Sequence, residues 1–118
     1  MLGAFGALLA VALGAFGAHA LKASLAADAL GLWKTAVEYH FYHSLGLLAV
    51  GSVAMHRGAS WQLQFSGWCM AVGVILFSGS LYALALTALP WLGWITPVGG
   101  LAFLAGWAFL LAALLRSD

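Results

Sequence analysis

The residues of this 118-residue chain whose types and spacing could do chemistry are concentrated in Glu38-Tyr39-His40-Phe41-Tyr42-His43. Imidazole titrates near neutral pH and is the commonest metal ligand, so it can relay a proton or hold a metal ion. His40 and His43 are three residues apart and lie near one face of a helix. His19 closes an apolar stretch at the N-terminus and is expected at a similar depth. Three imidazoles could converge on a metal, and two from different helices could ligate a haem iron axially. Glu38 lies about 160° around a helix from His40 and is not expected to share its site. A plainer account competes with the chemical ones. Histidines and tyrosines at a membrane interface can hydrogen-bond to backbone or to one another and serve packing, and this is the expected role. His56, beside Arg57 in a connection, is expected simply to be solvated.

Two further polar patches stand out. Phe77-Ser78-Gly79-Ser80-Leu81-Tyr82 places hydroxyls inside an apolar stretch, where they can bond the preceding turn or cross to a neighbouring helix. In Ile95-Thr96-Pro97-Val98-Gly99-Gly100, Thr96 is the expected N-cap and Pro97 the first helical residue. The polar groups singled out in these segments include His19, Tyr39, His40, His43, Ser78, Ser80, Tyr82 and Thr96. The metal candidates are His19, His40 and His43, and no cofactor is expected. The chain has three acidic residues, Asp28, Glu38 and Asp118, and no phosphate loop, carboxylate dyad or nucleophile with a neighbouring base. An enzyme is not expected.

The elements that position these groups follow from composition. Apolar residues make up 65 % and charged residues 6 % of the chain, against about 25 % charged in an ordinary soluble domain. Residues 58–115 contain no Lys, Arg, Asp or Glu. A membrane crossing needs roughly 20 apolar residues, so that run holds two. The net charge is +1 and the basic residues are scattered, which gives no footprint for nucleic acid. Cys69, the only cysteine, cannot form an internal disulfide or a cysteine cluster.

The fold class expected is an all-α membrane protein, a single integral membrane domain over residues 1–118 with four transmembrane helices. Their expected ranges are about residues 2–21, 39–55, 62–86 and 96–115. The first could be mistaken for a signal peptide, because Ala18-His19-Ala20 resembles a cleavage site, but no basic residue precedes it and retention is expected. Between the first and second spans, Ser24, Asp28, Gly31, Thr35 and Glu38 share one helical face and Leu30, Trp33 and Val37 another. That pattern predicts a short amphipathic interfacial helix over about residues 24–37, capped by Ser24, with Trp33 at the headgroup level. It either turns into the second span or continues as it. Pro90, Gly93 and Pro97, with Trp91 and Trp94, mark the last turn. Arg57 and Arg116 on one side tie with Lys22 and Lys34 on the other, and the acids beside the lysines tip the expectation toward cytoplasmic termini.

Small residues recur at helical spacing, which lets helices approach closely in lipid. Gly-Ala-Phe-Gly-Ala occurs at residues 3–7 and 14–18. Ser66, Gly73, Ser80 and Thr87 repeat every seven residues, as do Gly99, Gly106 and Ala113. Tight helix packing is expected from these stripes, within the chain or between copies, with membrane lipid and a homo-oligomer or larger membrane complex as partners.

Four segments together, Gly14-Ala15-Phe16-Gly17-Ala18-His19-Ala20-Leu21, Tyr39 to His43 leading into Ser44-Leu45-Gly46-Leu47-Leu48, Phe77 to Tyr82, and Ile95 to Gly100, resemble the YgdD/YwdK-type small inner-membrane proteins. This is the family of the domain of unknown function numbered 423. The resemblance runs over nearly the whole chain and implies a bacterial inner-membrane protein with four spans, with relatives in eukaryotes. It implies no activity. Its motifs fall on His19, Tyr39, His43, Ser78, Ser80, Tyr82, Thr96 and Pro97. At His40 it leads one to expect glutamine in many relatives, which weakens any metal site needing His40 and leaves His19 with His43 as the better pair. The function expected is a structural or assembly role in the membrane. The alternatives are a small oligomeric transporter or channel for protons, ions or a small solute, and a haem or metal carrier through His19 and His43.

Overall fold

Helix α1, Leu2–Leu21, is built from Ala, Leu and Gly with one β-branched residue, Val11, so little side-chain freedom opposes the helix. Its last turn, Gly17–Leu21, widens into a π-helix. After a short bend, α2 runs unbroken through Ala27–Arg57. Asp28 in its first turn favours the positive end of the helix dipole, and Gly58 ends it at φ 81°, a backbone setting that glycine adopts without steric cost. Ser60 caps α3, its Oγ accepting from the Leu63 N–H at 3.3 Å. Helix α3, Trp61–Thr87, contains a π-turn at Val74–Ser78 and ends at Ala88, held in the left-handed region at φ 56°. A 3-10 turn, Pro90–Trp94, leads into α4, Thr96–Leu115. The computed structural model describes residues 1–116, and all the regular elements described are helical.

Of the two alternatives for the amphipathic segment at about residues 24–37, the structure shows the one in which it continues as the second expected span. It starts at Ala27 and is continuous with the second apolar stretch, because nothing between Thr35 and Tyr39 breaks the helix. Ser24 does not cap it; its hydroxyl donates back to the Ala20 carbonyl at 3.4 Å. Trp33 packs inward against α1. Only 5 % of it is exposed, because the missing side chain of Gly17 makes room for the indole. A Cβ on Gly17 would stand 2.5 Å from Trp33 Cδ1 and Nε1.

Helix α1 runs antiparallel to α2, with Gly3 against Ser44 and Leu48, Gly14 against Val37 and Gly17 against Trp33. Its N-terminal end therefore reaches only partway along α2. Helix α4 lies on α3 in the same close manner. The seven-residue stripes are buried at Ser66, Gly73 and Ser80 and at Gly99, Gly106 and Ala113, while Thr87 is exposed. The Ser66 hydroxyl donates to the Gly106 carbonyl at 2.7 Å, and Val50, Leu63, Met70, Leu110 and Ala113 form one core among α2, α3 and α4. At the far end Arg57 donates to the Leu114 carbonyl at 3.2 Å and Arg116 to the Gln62 side chain at 3.1 Å.

The outer surface carries large apolar side chains such as Phe5, Leu8, Trp68, Ile75, Leu101 and Leu104, all exposed. A water-facing surface rarely bears continuous apolar cover of this kind. Three helical stretches, Leu2–Leu21, Trp61–Thr87 and Pro90–Leu115, are long and apolar enough to cross a membrane, where four were expected. Helix α2 is the exception although it has 31 residues, since Glu38, Tyr39, His40, Tyr42 and His43 fall in its middle. The molecule is 53 Å long, longer than the hydrocarbon core of about 30 Å, so one bilayer core cannot enclose its full length.

Candidate functional site

Helix α2 sets one face of imidazoles between its neighbours, and His43 is at the centre. Its Nδ1 lies 2.7 Å from the Tyr39 carbonyl oxygen, which can only accept, so Nδ1 carries the proton. Its Nε2 accepts from the Trp107 indole N–H at 3.0 Å. A neutral imidazole has one donor and one acceptor nitrogen, and both are engaged here. The ring is buried, 5 % exposed, and stacks on Phe103 with centroids 3.4 Å apart and planes within 9°. Gly73 on α3 makes this possible, since a Cβ there would collide with the Phe103 ring.

His40, one turn earlier, points toward α3. Its Nδ1 is 3.0 Å from the Tyr82 hydroxyl, and a phenol can donate or accept there. Ser44 donates to the His40 carbonyl at 2.7 Å, folding its hydroxyl back along its own helix. Gly6 of α1 fits over this pair, since a Cβ there would collide with Ser44 Oγ. Tyr82 in turn lies against Trp33, centroids 4.7 Å apart, and the Trp33 N–H donates to the Leu13 carbonyl of α1 at 2.9 Å. A continuous chain of contacts thus links α1, α2 and α3.

The π-turn of α3 supplies the third part. Ser78, fully buried, donates to the Ala36 carbonyl of α2 at 2.8 Å. Ser80 donates to the Phe77 carbonyl at 2.9 Å and lies 2.6 Å from the Thr96 hydroxyl, so Thr96 donates to Ser80. Thr96 is therefore not the N-cap expected from sequence. Ile95 occupies that position without a side-chain cap, and α4 begins at Thr96 itself. Helix α4 approaches so closely that a Cβ on Gly99 would collide with the Phe77 backbone. π-Turns are rare and recur at functional sites, and this one joins the polar groups of three helices.

Of the residues expected in the site, Tyr39, His43, Ser78, Ser80, Tyr82 and Thr96 are all drawn into this network. Tyr39 contributes its carbonyl and a ring against Phe77, centroids 4.6 Å apart. His19 is exposed on the π-turn of α1, and the hydrogen bonds of His40 and His43 go to other partners. Among the described residues no three His, Cys, Asp or Glu side chains are grouped to hold a metal ion. With both His43 nitrogens occupied, this arrangement leaves that imidazole no free lone pair for iron. Phe103 and Trp107 were not anticipated. Their four-residue spacing on α4, in step with Gly99, was the available sign that they share a face. His40, discounted at first, is an integral member.

Beside this network an open, apolar groove of about 710 Å³ runs between α2 and α4, floored by Phe77, His43 and Phe103 and flanked by Tyr39, Tyr42 and Trp107. A second cleft of about 570 Å³ lies between the end of α1 and the start of α2.

Residues 13–100 match the family described as protein of unknown function DUF423, a stretch that includes every candidate of the polar site but stops short of Phe103 and Trp107. The chain is 46 % identical over 116 residues to UPF0382 membrane protein YwdK of Bacillus subtilis, covering 98 % of this chain and 94 % of that one. It is 46 % identical over 110 residues to UPF0382 membrane protein SSP2132 of Staphylococcus saprophyticus, 93 % of this chain and 90 % of the relative. To UPF0382 inner membrane protein YgdD of Escherichia coli K12 it is 47 % identical over 106 residues, 90 % and 80 % of the two chains. No solved structure matches it. The family resemblance carried by the four motifs holds over almost the whole chain, and the protein belongs to the DUF423 family of UPF0382 membrane proteins.

Proposed function

We propose that this is a non-catalytic, four-crossing protein of the bacterial inner membrane whose role is structural, as a scaffold or assembly component. The observation that supports it best is the saturation of the polar network. Among the described residues no buried side-chain nitrogen or oxygen lacks a hydrogen-bond partner. An imidazole fixed on both nitrogens and stacked on a ring holds helices in register, whereas a proton or ion path needs groups that exchange partners with water or substrate. The fourth crossing is α2, whose His40 and His43 are turned toward Tyr82 and Trp107, so these histidines need not meet lipid. The relatives' naming as membrane and inner membrane proteins supports the location. As a scaffold it would work as a homo-oligomer or within a larger membrane complex.

A second reading, an oligomeric conduit for a small solute, draws on the groove beside His43. One experiment separates the two. The chain and its His43→Ala variant are reconstituted in liposomes, and proton and ion flux are measured beside unfolding and native mass. A scaffold gives flux equal to empty vesicles, a lowered unfolding midpoint in the variant, and a discrete oligomer or a co-purifying membrane protein. Flux above empty vesicles that drops in His43→Ala overturns the scaffold in favour of the conduit.

A further inference from the structure

The cleft between the end of α1 and the start of α2 lies outside the histidine network and has a different chemistry. Its floor is Gly14, Gly17 and the buried Trp33, and its wall carries Lys22 from the turn just after α1 and Lys34 with Glu38 from α2. Two chain segments thus bring together two of the four basic residues of the protein. The floor is a product of the same glycines that bring the helices into contact. Trp33 fills the space at Gly17, and at Gly14 a Cβ would be 3.1 Å from Val37 Cγ1. The result is an apolar trough of about 570 Å³ with charged groups where the charge-free part of α1 ends. That juxtaposition has the form of a phospholipid, an acyl chain beside a charged headgroup.

We propose that this cleft binds the headgroup of a mono-anionic phospholipid of the phosphatidylglycerol type, the phosphate between Lys22 and Lys34 and a headgroup hydroxyl donating to Glu38. Charge complementarity selects this occupant. Two lysines and one glutamate give the wall a net charge of +1, which a phosphodiester with one negative charge neutralises. A zwitterionic headgroup leaves that charge uncompensated. Ammonium groups near a membrane surface attract anionic lipid, and six N–H donors on two lysines match the phosphate oxygens while a carboxylate can only accept. The proposal requires the protein to sit in a membrane but is independent of the scaffold role.

The test is native mass spectrometry of the full chain released from nanodiscs made of phosphatidylglycerol and phosphatidylethanolamine in equal amounts. Resistance of the protein to carbonate extraction from cell membranes is checked separately, so a failure of membrane placement is recognised as such. Retained phosphatidylglycerol is expected to exceed phosphatidylethanolamine by about fivefold or more, the selectivity of one well-placed lysine. The Lys22→Gln/Lys34→Gln variant, exposed at both positions and expected to fold, should retain the two lipids in their bilayer ratio. The Arg57→Gln variant, altered at the opposite end, should keep the preference. Equal retention of both lipids by the unaltered protein overturns the proposal. So does a preference that survives loss of both lysines or disappears with Arg57.

Discussion

Substituting His43 and Trp107 singly and together isolates the bond on which the network turns. His43→Leu leaves the Trp107 N–H without its acceptor and removes the ring stacked 3.4 Å from Phe103. Trp107→Phe leaves His43 Nε2 without its donor. A stranded buried polar group costs about 1–3 kcal/mol, which applies to His43 but less to Trp107, whose ring is partly exposed. Interhelical hydrogen bonds in membranes average only about 0.6 kcal/mol with a maximum near 1.7, since the unfolded chain in lipid also finds partners. The His43–Trp107 bond is expected in the upper half of that range, because His43 is 5 % exposed and its other nitrogen is held by Tyr39, which fixes the acceptor toward Trp107. His43→Leu alone should cost about 2 kcal/mol, more than the coupling, because the Phe103 stack is lost too. Reversible unfolding in mixed micelles of mild and denaturing detergent measures all four corners of the cycle. A coupling of about 1 kcal/mol is the expected outcome. Additive effects within about 0.3–0.5 kcal/mol, the scatter of independent sites, would refute the bond and the tautomer derived from it.

Three further outcomes can be read in the same assay. Gly99→Ala should destabilise by about 1–3 kcal/mol, the cost of overpacking, because its Cβ meets the Phe77 backbone and no side chain can yield; Gly79→Ala, with nothing within 4 Å, should be neutral or slightly stabilising. Ala88→Gly should raise stability by about 0.5 kcal/mol, since relief of a left-handed alanine at φ 56° slightly outweighs the entropy of the added glycine. Gly17→Leu should cost about 1–3 kcal/mol by displacing Trp33 and breaking its bond to the Leu13 carbonyl; a variant as stable as the parent would show that α1 and α2 are not in close contact there.

The candidate site was legible to different degrees at different residues. Ser78 and Ser80 were visible because hydroxyls in an apolar run must find partners, and they do. His43 was visible for the same reason. His19 stands apart from His43, because a place at the end of a helix gives depth but not azimuth, and here it is exposed on the π-turn. Thr96 was assigned to its own helix end when its partner is Ser80. The residue type of Trp33 suggested a depth but not a partner, and the gap at Gly17 supplied the partner. Phe103 and Trp107 offered only their four-residue spacing from Gly99, which marks a shared face but not the partner it meets.

By itself the sequence determined the solvent and the class of fold. Seven charged residues among 118 leave no means of covering a water-facing surface, and the spacing of small residues marks the faces along which helices meet. Those properties are local or additive, so they can be summed along a chain. Only the tertiary structure decided that α2 is one continuous helix with His40, His43 and Ser44 turned inward, that His43 meets Trp107 and not His19, and that Lys22 joins Lys34 across a cleft. Each of these depends on the rotation and stagger of one helix against another, set by where glycines allow contact to within a few tenths of an ångström, and linear order does not specify that alignment.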